Sequence, residues 1–167
     1  MAKHEKTKIL SFVLSAVIIV VSLLDIDFSH YALSPLNSPF GNIAYHFFHV
    51  NIFHAIVNVW CLLGIVFFYK IRIRDFIIAF AVAASFPTQL CIAPSVGLSG
   101  MLYALMGLIM PQVYSRTYFI ACLVLWNVVA WIVGGFGVEV HAYCFVVALL
   151  DWSLYKCIFK LLVLLMI

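Results

Sequence analysis

Read for apolar and polar positions alone, the chain falls into six apolar runs, at 9–24, 44–69, 76–92, 99–114, 117–134 and 138–155. Turn-forming and charged residues collect in the gaps: "KIRIRD" after the second run, "APSVGL" before the fourth, "SR" and "GGFG" on either side of the fifth. Most runs approach the roughly 20 residues an α-helix needs to cross a bilayer, and they are too long to be strands. The pattern predicts an all-α polytopic membrane protein with six transmembrane helices, forming a single domain over 1–167. The longest gap, Asp25 to Asn42, holds Pro35 and Pro39, which oppose a long helix, and Phe28, Tyr31, Leu33, Leu36 and Phe40, which favour the membrane interface. The first run follows three lysines, as in a signal peptide, but no small-x-small cleavage site follows it, so it is expected to remain as the first span.

Composition agrees with the pattern. Of the 167 residues, 67% are hydrophobic and 9% charged, and the mean hydropathy is +1.21. A soluble domain carries roughly 25% charged residues, so this chain could not hide its apolar surface in water. The nine Lys and Arg then set an orientation. Lys3, Lys6 and Lys8 precede the first span; Lys70, Arg72 and Arg74 join the second and third; Arg116 joins the fourth and fifth; Lys156 and Lys160 follow the sixth. All nine fall on one side, which the positive-inside rule makes cytoplasmic, with both termini inside. The opposite gaps carry Asp25, Asp27 and Glu139 and no Lys or Arg. The five cysteines lie in apolar segments without a Cys-x-x-Cys pair and are expected to be buried free thiols.

Ionisable and nucleophilic residues inside a membrane are costly, so their placement is informative. The candidates are His46, His49, His54 and Asn58 on the second span, Ser99 on the fourth and His141 on the sixth. His54 lies 16 residues before Lys70, Ser99 lies 17 before Arg116, and His141 lies 15 before Lys156. At about 1.5 Å per residue, all three sit roughly 23–26 Å above the inner surface, at one level in the outer part of the bilayer. If the second run is one helix, His54 and Asn58 share a face, whereas His49 is about 180° from Asn58 and points elsewhere, so His46 and His49 are expected to be interfacial or structural. A serine at this level with a histidine base is the pattern of nucleophilic acyl transfer. His141 suits the base. His54, Asn58 and the Ser99 backbone N–H suit an oxyanion hole. Gly97 and Gly100 allow close backbone approach, and Tyr103, one turn beyond Ser99, can stack on His141. No third member of a triad is evident, since Glu139 points away and Asp151 lies about 15 Å deeper, so a Ser–His dyad is expected.

These residues resemble the rhomboid family of intramembrane serine proteases. "GLSG" at Gly97–Gly100 matches the family's Gly-x-Ser-Gly motif, and "GLSGMLYALMG" is similar along its length, including the tyrosine four residues after the serine. "HVNIFHAIVN" matches the second-span pattern of an oxyanion histidine followed four residues later by asparagine. "GVEVHAY" puts His141 where the sixth-span catalytic histidine belongs. The resemblance implies cleavage of transmembrane segments near the outer membrane boundary, with Ser99 as nucleophile, His141 as base, and His54, Asn58 and Ser99 N–H as oxyanion hole. It further implies lateral gating by the fifth span and the 134–140 loop, with Phe136 in the cap, and no metal or organic cofactor. The expected partners are transmembrane protein substrates and the lipid bilayer, not nucleic acid, and the expected location is the bacterial cytoplasmic membrane. Two features depart from the family. The first outer loop lacks its Trp-Arg motif, and Val140 and Cys144 stand where Ala and Gly are usual, which predicts a wider separation of the fourth and sixth helices.

Bland readings compete at each position. Small residues cluster wherever membrane helices pack, and a membrane asparagine is often a helix–helix hydrogen bond. The three histidines of the second span lack the spacing and carboxylate of a zinc protease. The rival function is a catalytically inactive rhomboid-like protein that binds or routes transmembrane helices. The agreement of residue type, order, topology and depth favours the protease.

Overall fold

The computed structural model describes residues 3–24, 26–37, 40–134 and 137–165, with the backbone alone at 3–4, 133–134, 152 and 154–165. Among these residues the chain is all-helical: α1 Lys3–Leu23, α2 Gly41–Ala44, α3 Ile52–Phe68, α4 Ile73–Ala84, α5 Ser99–Ile109, α6 Arg116–Gly134 and α7 Val138–Leu165. Six of these coincide with the apolar runs, and α2 is a single turn at the head of the second.

Local chemistry moves several boundaries. The second run is broken at Asn51, whose extended backbone and side-chain carbonyl cap α3 by accepting the His54 N–H at 2.8 Å. The segment Gly41–Phe47 therefore meets α3 at 91° instead of continuing it. Helix α4 stops at Ala84, before Pro87, and α5 gives way to a 3₁₀ turn around Pro111. At 12 and 11 residues, these two helices run only about 18 and 17 Å. Among the described residues, Glu5–Leu23 qualifies by length and apolarity as a membrane-crossing helix, and Gly41–Phe47 with Ile52–Phe68 qualifies only as a bent pair.

Helix α5 is the axis of the fold. Eight of its eleven residues are buried, so it is apolar all round, as a central helix must be. It packs most extensively on α7, then on α4 and α3. Glycine explains the closeness to α7. A Cβ on Gly107 would lie 2.5 Å from the Phe145 carbonyl oxygen, and one on Gly100 would lie 3.1 Å from Val140 Cγ1 and 3.5 Å from Cys144 Sγ. Val140 and Cys144 are buried against this glycine face.

Helix α1 has its polarity inside out. Thr7, Ser11 and Ser15 are buried toward the protein, while Ile9, Phe12, Val13, Val17 and Val20 are exposed. Small hydroxyl residues at a spacing of four let α1 lie close against α3, its main neighbour. Large apolar side chains also cover the outer faces of α3 and α6, among them Phe53, Trp60, Leu125, Trp126, Trp131 and Ile132.

Helix α6 is attached most lightly. None of its described residues is buried, and those with substantial cover, Phe119, Leu123, Asn127 and Ala130, form one stripe. Cys122 consequently faces outward, whereas Cys144 is buried and Cys61 and Cys91 are half-buried, so the expectation of uniformly buried thiols fails at Cys122.

Candidate active site

The three residues matched in depth by sequence all fall in first helical turns: His54 in α3, Ser99 in α5 and His141 in α7. The turn before Ser99 is built by Gly97, whose φ of +132° is open to glycine and strained for other residues. Its N–H donates to the Tyr45 carbonyl at 2.9 Å, and the next N–H, of Leu98, donates to His49 Nε2 at 3.3 Å. On the far side, Leu33 and Ser95 exchange backbone hydrogen bonds of 2.8 and 3.1 Å, tying the long first connection to the loop that carries the serine.

Ser99 Oγ and His141 Nε2 are 2.8 Å apart. His141 is nearly buried, and its ring is stacked on Tyr103, with centroids 4.3 Å apart and planes 7° from parallel. Its other ring nitrogen, Nδ1, is 3.0 Å from Asn127 Oδ1 on α6. The amide of Asn127 is held in turn, with Nδ2 donating to Tyr103 Oη at 2.7 Å and to the Leu123 carbonyl at 2.8 Å. A carbonyl only accepts, so the Leu123 contact requires nitrogen on that side and leaves Oδ1 facing His141. Oδ1 in turn requires Nδ1 to carry the proton. In the neutral ring Nε2 is then unprotonated and accepts from the Ser99 hydroxyl, as a general base must.

The expected oxyanion donors border the same place. A Cβ on Gly97 would fall 2.9 Å from His54 Cε1 and 3.7 Å from Asn58 Nδ2, so both side chains close directly on the serine loop. Asn58 Nδ2 also donates to the His54 carbonyl at 3.1 Å, which fixes the amide on its own helix. Ser99 opens α5, where backbone N–H groups have no intrahelical acceptor and the helix dipole favours negative charge. His54, Asn58, Gly97, Ser99, Tyr103 and His141 all line one cavity of about 770 Å³, which runs between α3 and α6 past Trp60, Phe119 and Trp126.

Sequence reasoning brings together Ser99, His141, His54, Asn58, Gly97, Gly100 and Tyr103, and the structure joins all seven around this point. Phe136, the expected gate residue, lies outside the described residues. Two residues were missed. His49 does not point away: its segment precedes the Asn51 cap, so helical phase does not apply, and its ring lies edge-on to His54 with centroids 5.1 Å apart. The Asn in the second run was the available signal for that break. Asn127 was missed because polar residues were sought on the second, fourth and sixth spans only; a lone amide in "LVLWNVVAW" was itself the signal. No group of three or more His, Cys, Asp or Glu suited to a metal occurs among the described residues. No family model, curated protein or solved structure matches the chain.

Proposed function

We propose that this chain is a rhomboid-type intramembrane serine endopeptidase, with six membrane spans and both termini cytoplasmic, that cleaves transmembrane segments of other proteins near the outer boundary of the bilayer. The observation that carries the reading is the 2.8 Å contact between Ser99 Oγ and His141 Nε2 at the mouth of a helix N-terminus. The membrane setting is supported by the one-sided distribution of the nine basic residues and by the apolar outer faces of α1, α3 and α6. An exposed apolar surface on that scale is a liability in water and the normal state in lipid.

In this reading Ser99 Oγ attacks the scissile carbonyl carbon as its proton passes to His141 Nε2. The oxyanion forms at the start of α5, beside the Ser99 N–H, the His54 ring and the Asn58 amide. Collapse breaks the C–N bond, and His141 returns the proton to the leaving amine. Water, deprotonated by the same Nε2, then releases the acyl group as a carboxylate and restores Ser99. The cavity between α3 and α6 offers a lateral path for an apolar helix, with bulky aromatic walls and one polar end.

The test is labelling of the detergent-solubilised protein by a fluorophosphonate, beside Ser99→Ala and His141→Ala. Labelling of wild type that is lost in both variants is expected. A folded wild type that stays unlabelled, while an active rhomboid labels in the same detergent, would overturn the protease and favour an inactive helix-binding protein.

A further inference from the structure

Among the described residues of the stripe by which α6 meets the rest of the protein, Asn127, between Leu123 and Ala130, is the only polar one. A primary amide in an apolar seam is costly unless its hydrogen-bonding groups are matched. Here both N–H groups and the carbonyl oxygen are matched, and two of the three partners, Tyr103 and His141, belong to the candidate site. An apolar residue would serve packing alone, and the two neighbours along the stripe toward the start of α6, Phe119 and Leu123, are of that kind.

We propose that Asn127 is a positioning residue for His141: it holds the imidazole in the Nδ1–H tautomer, leaving Nε2 free to take the serine proton, and because it rides on α6 the arming of the base depends on how α6 is seated. The inference rests on the serine-hydrolase reading given above. As the Ser99 O–H bond breaks, the Nε2–H bond forms and the ring becomes cationic. Its Nδ1–H stays on Asn127 Oδ1, the negative end of the amide dipole, which faces the growing charge. The amide takes no proton itself; it acts as the asparagine of a Cys-His-Asn site does. Displacing α6 removes this acceptor and lets the ring rotate or change tautomer.

The experiment measures the second-order rate of fluorophosphonate labelling for wild type, Asn127→Leu and Asn127→Asp, with thermal unfolding of each and the ¹⁵N histidine spectrum of His141. Leu keeps the volume and loses the acceptor; Asp keeps an acceptor and loses the donors. Labelling is expected to fall about 10- to 100-fold in Asn127→Leu, part of the factor a positioned base contributes, and to recover most of the way in Asn127→Asp. The spectrum is expected to show protonated Nδ1 in wild type and a mixture of tautomers in Asn127→Leu. Wild-type rates in Asn127→Leu, or equal losses in the two variants with the tautomer unchanged, would overturn the proposal. If wild type itself does not label, the hydrolase reading fails, and the ¹⁵N spectra still decide whether Asn127 sets the tautomer.

Discussion

The rings of Tyr103 and His141 lie face to face, 4.3 Å between centroids and 7° from parallel, and the Tyr103 hydroxyl reaches past the imidazole to accept from Asn127. One tyrosine thus restrains the histidine twice, by its face and through the amide that its hydroxyl anchors. The two restraints separate by mutation. Tyr103→Phe keeps the stack and is expected to lower fluorophosphonate labelling only a few-fold, because the Leu123 carbonyl still orients Asn127. Tyr103→Ala removes the stack and a buried ring, and is expected to lower labelling far more and to cost about 3 kcal/mol in unfolding free energy. Equal effects of the two on labelling would show that the stack does not position the base.

The approach of α5 to α7 gives a second prediction. A Cβ on Gly100 would stand 2.7 Å from Tyr45 Oη and 3.1 Å from Val140 Cγ1. Gly100→Ala is expected to destabilise by about 1–3 kcal/mol through overpacking and to slow labelling as Ser99 and His141 are pried apart. Tyr45→Phe removes the nearer atom, although it also gives up a 3.2 Å hydrogen bond to the Ala83 carbonyl. In a double-mutant cycle of thermal stability, Gly100→Ala should therefore cost less in the Tyr45→Phe background. Additive losses would mean that the strain is relieved elsewhere.

The proposed orientation in a membrane is tested from two exposed positions. Leu36 in the first connection is 92% exposed, and Tyr114, beside Arg116, is fully exposed. In a background without the native cysteines, Leu36→Cys is expected to react with an impermeant maleimide added outside intact cells, and Tyr114→Cys only after the cells are opened. The reverse pattern, or both positions on one side, would refute six spans with the basic gaps inside.

The meeting of Ser99, His54 and His141 was the part of the site most legible in the sequence. Each lies 15 to 17 residues before a Lys or Arg, so the three could be expected at one level before their helices were known to be neighbours. Tyr103 followed from its four-residue spacing to Ser99. What could not be read was rotation and contact between helices. Nothing in the sequence states which face α6 turns to α7, so the bond from Asn127 to a histidine 14 residues further on was hidden. His49 was misread for a related reason, since helical phase was carried across a break that Asn51 makes.

The light attachment of α6 has a consequence for how the protein would respond to its surroundings. A wall helix with no buried residue among those described would, in the proposed membrane setting, have little packing energy to resist sideways pressure from acyl chains or detergent tails. If its asparagine sets the tautomer of the base, lateral pressure in the bilayer becomes a variable in the rate equation. Thickness, chain saturation and detergent choice would then change how fast Ser99 reacts while leaving the serine, the histidine and the fold itself unaltered.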